Sequence, residues 1–134
     1  MKILLDTNIL IDYLTIREPL FDEADQIVQL CTDEKLEGYV AAHAITDLFY
    51  ILRKSGAETR RKRLKWVCTV FTVIGIDKDK LMKVFDNEDF NDIEDCLQEI
   101  CAEEYHLDYI VTRNVKDFKG GSVPAVPPGN SWLR

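Results

Sequence analysis

The first fourteen residues, Met1-Lys-Ile-Leu-Leu-Asp-Thr-Asn-Ile-Leu-Ile-Asp-Tyr-Leu14, constrain the fold more than any other stretch. The run Ile3 to Leu5 is apolar without alternation, as a strand buried on both faces of a parallel sheet reads. It ends in a carboxylate, Asp6, and from Asn8 onward Ile9, Leu10, Tyr13 and Leu14 recur at helical spacing. In open α/β sheets ligands bind beyond the carboxyl ends of the strands, so Asp6 stands where a catalytic or metal-binding acid is placed. The local alternative is that Asp6 or Thr7 caps the helix and Asn8 completes the turn.

Strand-like and helix-like segments continue to alternate. Pro19 can start a second helix carrying Leu20, Ala24, Ile27, Val28 and Cys31, which Gly38 ends. Tyr39 to Ala42 reads as a strand, and Ala44 to Lys54 as a helix with Ile45, Leu48, Phe49 and Leu52 inward, broken at Ser55-Gly56. Thr59 to Phe71 reads as a helix burying Leu64, Val67, Cys68 and Phe71, and Thr72 to Ile76 as a strand. Asp77 caps a helix that turns Leu81, Val84 and Phe85 to the core. Asn91-Asp92-Ile93-Glu94 has capping-box spacing and opens a helix to about Tyr105, striped by Ile93, Leu97, Ile100 and Cys101. Tyr109 to Thr112 and Val123 to Val126 complete the strands. This alternation predicts an α/β fold whose parallel sheet is covered on both faces.

At 134 residues, with neither repeat nor linker, the chain is expected to form one domain over 1–134. The opening residues read as a strand rather than a signal peptide, and no apolar run reaches the roughly 18 residues of a membrane span. Cys31, Cys68, Cys96 and Cys101 form no CxxC pair, so reduced thiols in a cytoplasm are expected rather than zinc or disulfides. The net charge of −7 opposes nonspecific nucleic-acid binding. An acidic cluster holding cations would nevertheless present a positive site to phosphate.

The acids fall at the switches between elements. Asp6 ends the first strand, Asp47 lies early in the helix after the second, and Asp92, Glu94 and Asp95 crowd a later helix start. Asp117 follows the strand at Tyr109 to Thr112. Placed so, they can converge at one edge of a parallel sheet. Carboxylates crowded together take up protons or bind cations, and hard ions such as Mg²⁺ and Mn²⁺ take oxygen ligands. Each acid also has an ordinary reading. Asp92 and Glu94 complement the helix macrodipole, Asp95 points off the apolar stripe into solvent, Asp47 is a first-turn acid, and Asp117 caps a short turn.

Taken in order, Leu-Leu-Asp6-Thr-Asn-Ile-Leu-Ile, Ala-Ile-Thr-Asp47-Leu-Phe-Tyr-Ile-Leu, Asp92-Ile-Glu-Asp95-Cys-Leu-Gln and Ile-Val-Thr112-Arg-Asn114-Val-Lys-Asp117-Phe resemble the PIN domain family. The likeness runs from Lys2 to about Val126, and small members of this kind resemble VapC-like toxins of bacterial toxin–antitoxin pairs. It implies a three-layer α/β/α sandwich with a central parallel sheet of four to five strands, and Mg²⁺- or Mn²⁺-dependent cleavage of RNA. Asp6, Asp47, Asp95 and Asp117 match its acidic positions, with Asp92 as an additional metal or supporting acid. Thr7, Asn8, Thr112 and Asn114 match residues that orient substrate. The implied partners are RNA, a cognate antitoxin and a second copy of the chain, with no membrane. Two positions depart from the pattern. Asp47 stands where glutamate is usual, and Asn114 where aspartate often stands, leaving Asn114 and Asp117 as alternatives for the fourth position.

The departures leave a second reading open, a non-catalytic regulatory or nucleic-acid-binding PIN-like domain with a degraded metal site. A phosphoacceptor receiver domain would need an acidic pair at the first strand, and an aspartyl phosphatase would need aspartate at position 8, where this chain has Asn8. Arg60, Arg61, Arg63 and Lys65 are candidates for RNA backbone contacts, or simply the solvated face of their helix. Trp66 between them can stack on a base or a protein partner. Phe71 and Tyr50 are read as further exposed contacts, and His43 as a neighbour of the site, a cap or a satisfied polar group.

Overall fold

A computed structural model describes residues 1–133, and Arg134, the last residue of the expected domain, lies outside them. Five parallel strands, β1 (Lys2–Leu5), β2 (Glu37–Ala41), β3 (Thr72–Ile74), β4 (Tyr109–Val111) and β5 (Ala125–Val126), form one sheet in the order β3-β2-β1-β4-β5. The chain winds outward from β1 to β3, then crosses to β4 on the other side. The switch in direction therefore lies between β1 and β4.

The pleat divides the core. Ile3, Leu5, Val40 and Val111 face one layer with the helices α1 (Thr7–Leu14), α2 (Phe21–Thr32), α3 (Ala42–Ile51) and α4 (Ala57–Val70). Leu4, Ala41, Ile74 and Ile110 face the other, which holds α6 (Ile93–Glu104). The remaining helix, α5 (Lys78–Asp86), packs on α6 through Val84, Leu97 and Ile100. The expected three-layer sandwich is present, with five strands. Among the described residues no helix is long and apolar enough to cross a membrane.

Several local expectations change. The second helix starts at Phe21 rather than Pro19, β3 stops at Ile74, and β5 is confined to Ala125–Val126. Gly38 lies inside β2, not at a helix end. A Cβ there would come within 2.5 Å of the Phe71 ring and 2.9 Å of Cys31 Sγ, so this glycine lets α2 and the end of α4 close on the sheet. Phe49, Leu81, Phe85, Ile93 and Cys68 were expected inward and are exposed, whereas Phe71, read both on the inward face of its helix and as an exposed contact, is buried. Helical spacing locates a stripe's centre but not how far its partner layer extends.

Buried Glu99 of α6 seats the chain between β4 and β5. Its Oε1 accepts from the backbone N–H groups of Ser122 (2.7 Å) and Val123 (2.9 Å). Gly121 passes so close that any Cβ would collide with that carboxyl group. The short 3-10 turn Val115–Phe118, which carries Asp117, belongs to the segment held in this way.

Candidate active site

Asp6 emerges at the carboxyl edge of the sheet where the strand order reverses. Its backbone N–H still bonds the Val111 carbonyl at 2.9 Å, which fixes it between β1 and β4. It occupies the N-cap position of α1, yet its side chain makes no capping bond. Asp6 Oδ1 instead accepts from Gln98 Nε2 at 2.5 Å, and Oδ2 from Thr112 Oγ1 at 2.7 Å and Asn8 Nδ2 at 3.2 Å. Three donors from three parts of the chain thus orient one carboxylate that is only 7% exposed. Thr112 Oγ1 in turn accepts the backbone N–H of Asn114 at 3.0 Å. The local capping alternative for the Asp6 side chain does not hold.

A cleft of about 460 Å³ opens over Asp6 and is lined by Thr7, Asn8, Asp47, Glu94, Asp95 and Asn114, with Ile11, Tyr50 and Ile51 as its apolar wall. A second depression of about 330 Å³ is lined by Asp89, Asn91, Asp92, Asp117, Lys116 and Lys119, and Asp95 borders both. Asp6, Asp47 and Asp95 therefore share one cleft, and Asp92 and Asp117 approach Asp95 from the other. Asn114 lies in the cleft with Asp6, while Asp117 lines the neighbouring depression. The expected capping box is displaced by one residue, because Asp92 is the N-cap and its Oδ1 accepts the Asp95 N–H at 3.0 Å.

Burial and the neighbouring charges act together on the acids of the cleft. Burial pushes the Asp95 carboxyl up to about 7, with the charges of Asp92, Asp6 and Asp117 adding to it. The Glu94 carboxyl is also raised to about 7, first by its hydrogen bond with Asp47, then by burial and the surrounding acids. Burial lowers His43, against the opposing pull of Asp47, Asp6 and Asp92, and neither ring nitrogen has a hydrogen-bond partner. His43 is thus no cap. Among the described residues no three His, Cys, Asp or Glu side chains are already gathered around one point to hold an ion. The donor set still suits a hard cation, since Mg²⁺ keeps several waters and uses one or two carboxylates. Cation charge would favour the ionised Asp95 carboxylate, against the burial and neighbouring charges that raise it.

This gives a signed prediction for Asp95→Asn. A carboxyl whose folded pKa lies near 7 and whose unfolded value is about 3.9 costs stability once both states ionise. The full cost is present above pH 7, shrinks as pH falls through that range, and closes near pH 4. In chelator at pH 8, Asp95→Asn is expected to be more stable than wild type by about 1 kcal/mol, a value discounted for solvent screening. Thermal melts from pH 8 to pH 5 should show the gap narrowing, and added Mn²⁺ should stabilise wild type more than the variant. A variant that is less stable in chelator at pH 8 would contradict this account.

The PIN domain family model matches residues 2–116. The chain belongs to the PIN domain family. The fold of this PIN domain is also that of solved toxin–antitoxin proteins. VapBC2 from Rickettsia felis, solved with a promoter DNA fragment, is similar at TM-score 0.68 and 16% identity, over 95% of this chain and 98% of that one. A toxin–antitoxin complex from Klebsiella pneumoniae gives TM-score 0.69 and 23% identity, over 92% and 94%. VapC20 from Mycobacterium tuberculosis, described as a sarcin–ricin loop cleaving toxin, gives 0.64 and 13%, over 81% and 86%. No curated protein matches.

Residues that sequence reasoning missed complete the site of this PIN domain. Gln98 is 1% exposed and holds Asp6, although it reads as an ordinary helix polar residue. Its one signal is that it lies three residues after Asp95 and four after Glu94, on the same helix face. Glu94, counted above among the converging acids with the macrodipole as its ordinary reading but not named as a site residue, lines the cleft and pairs with Asp47. Asp12 of α1 is 1% exposed and receives Arg113 Nε at 2.6 Å, tying the segment after β4 to α1. The basic residues of α4 divide between two faces. Arg60, Arg61 and Lys65 flank a groove with Phe49, whereas Arg63 donates to the Leu14 carbonyl at 3.0 Å on the side of Trp66. Trp66 is half-buried and stacks on Tyr13 at 5.6 Å, so its ring is already in use.

Proposed function

We propose that this PIN domain is a divalent-metal-dependent endoribonuclease and the toxin of a toxin–antitoxin pair. The observation that carries the reading is the convergence of Asp6, Asp47 and Asp95 on one cleft, with Asp92 and Asp117 set against the same Asp95. Asp6, Asp95 and Asp117, with Asp92 beside them, would hold Mg²⁺ or Mn²⁺. When bound, such an ion supplies positive charge for the phosphate and lowers the pKa of water. Asp47 orients the attacking water and takes its proton, and Glu94 keeps Asp47 aimed through their hydrogen bond. Water adds to phosphorus as the P–O3′ bond breaks, and the leaving 3′ oxygen takes a proton from solvent, giving a 5′-phosphate and a 3′-hydroxyl. Thr112 and Asn8 hold Asp6 in position, while Thr7 and Asn114 face the cleft and can donate to a phosphate oxygen.

The partners proposed with this activity are RNA, a cognate antitoxin and a second copy of the chain, in a cytoplasmic setting. The reading is supported by the family and by structural neighbours whose names are those of toxins or toxin–antitoxin complexes. The test is to strip metal and any antitoxin from the purified protein and incubate it with labelled RNAs in EDTA, Mg²⁺ or Mn²⁺. Cleavage is expected only with metal. Equal cleavage in EDTA would overturn the metal-dependent mechanism, and no cleavage of any RNA would favour the non-catalytic alternative.

A further inference from the structure

The surface of α3 beside the cleft exposes two consecutive aromatic side chains, Phe49 at 52% and Tyr50 at 64%. Leaving this much aromatic surface in water forgoes its burial, and each ring is instead covered by a guanidinium. Arg53 lies over the Tyr50 ring at 4.1 Å and Arg60 over the Phe49 ring at 3.8 Å. Both arginines are tethered as well, Arg53 Nη1 to the Tyr50 carbonyl at 3.1 Å and Arg60 Nη1 to the Phe49 carbonyl at 3.3 Å.

The two aromatic–arginine pairs connect separate features of the surface. Tyr50 follows Asp47 by one helical turn and forms part of the wall of the acidic cleft. Phe49, its neighbour, borders a groove of about 420 Å³ with Arg60, Arg61 and Lys65. A strip of π-faces and cations thus leads away from the acids, on a chain whose net charge is −7. Single-stranded nucleic acid is bound by this combination, bases stacking on aromatic faces while cations follow the backbone. An apolar protein segment would also fit the groove. The local positive charge, and the strip's end in a cleft suited to a phosphodiester, favour RNA.

We propose that Tyr50 and Phe49, backed by Arg53 and Arg60, form a base-stacking track that guides unpaired RNA into the acidic cleft. Tyr50 stacks on a base close to the phosphate to be cut. The proposal rests on the ribonuclease reading and deepens it, because stacking tolerates any base but requires an unpaired one. The track therefore selects for strandedness rather than for sequence.

The test measures fluorescence anisotropy in EDTA with three probes: a short single-stranded RNA, its duplex, and an abasic ribose-phosphate oligomer of equal length. Wild type is expected to prefer the single strand. Tyr50→Ala should weaken that binding about tenfold and leave the abasic oligomer unaffected, while Tyr50→Phe keeps wild-type affinity. Arg60→Ala should weaken all three and reduce the salt slope by about one. Both positions are on the surface, so matching thermal melts will show that the variants are folded. Unchanged single-strand affinity in Tyr50→Ala and Phe49→Ala overturns the track. That result would leave the nuclease reading standing if wild type cleaves RNA with metal. If wild type neither binds nor cleaves any RNA, the nuclease reading falls and the track with it.

Discussion

Asp6→Asn is expected to lower metal-dependent RNA cleavage by about 10³-fold or more while the protein stays folded. The carboxylate sits at the convergence of Gln98, Thr112 and Asn8, each of which donates a hydrogen bond to it. Asparagine removes the negative charge but can preserve most of this network. Its carbonyl can keep the Thr112 and Asn8 donors, and its amide can donate to Gln98 Oε1, which has no partner now, once the Gln98 amide turns over. The expected stability change is therefore under about 1 kcal/mol, which separates loss of charge from loss of fold. Asp6→Ala is the contrasting variant. It strands the buried Gln98 amide and Thr112 hydroxyl, at about 1–3 kcal/mol each, and should lower the melting temperature as well as the activity. Cleavage rates and thermal melts of the two variants together check the assignment. Full metal-dependent activity in Asp6→Asn would refute it.

Arg113→Ala is expected to destabilise the protein by about 3 kcal/mol, or roughly 10 °C in melting temperature. Asp12 is almost fully buried, and Arg113 reaches it with two nitrogens, Nε at 2.6 Å and Nη2 at 3.4 Å. Removing the guanidinium leaves a carboxylate inside the protein with no counter-charge, which costs far more than the intact pair contributes. The arginine side chain is 28% exposed, so the lower end of the usual range for a broken buried pair applies. Arg113→Lys keeps the charge but loses the two-nitrogen fork, and should fall between wild type and alanine. Adding Asp12→Leu to Arg113→Ala should recover most of the loss, since it removes the stranded charge. Melting temperatures of this set decide the matter. An alanine variant that melts within about 2 °C of wild type would mean that water replaces the arginine.

The part of the site that was readable in the sequence is the part encoded locally. Ile3 to Leu5 must form a strand buried on both faces, and an acid at its end must leave at the sheet edge, so Asp6 was placed without any knowledge of its neighbours. Asp47 was readable because α3 follows β2 and starts at that same edge, and Asp95 because it belongs to the acids crowded at the start of α6. The α/β class followed from alternation alone, and the resemblance to PIN domains rested on the four short motifs. What stayed hidden is set by distance across the fold. Gln98 is 92 residues from Asp6, and nothing in its surroundings marks it as a donor to a buried acid. Asp12 and Arg113 are 101 residues apart, and nothing local to either one points to the other. Exposure followed the same rule. Helical spacing put Phe49 and Phe85 inward, but burial depends on whether another layer covers that flank, and none does. The order of residues thus determined which elements form and which acids meet at the edge of the sheet, because strand burial and helix starts are local properties. Only the tertiary structure decided which donors orient Asp6, which charge is buried opposite Arg113, and which aromatic faces remain in water, because each depends on surfaces brought together from distant parts of the chain.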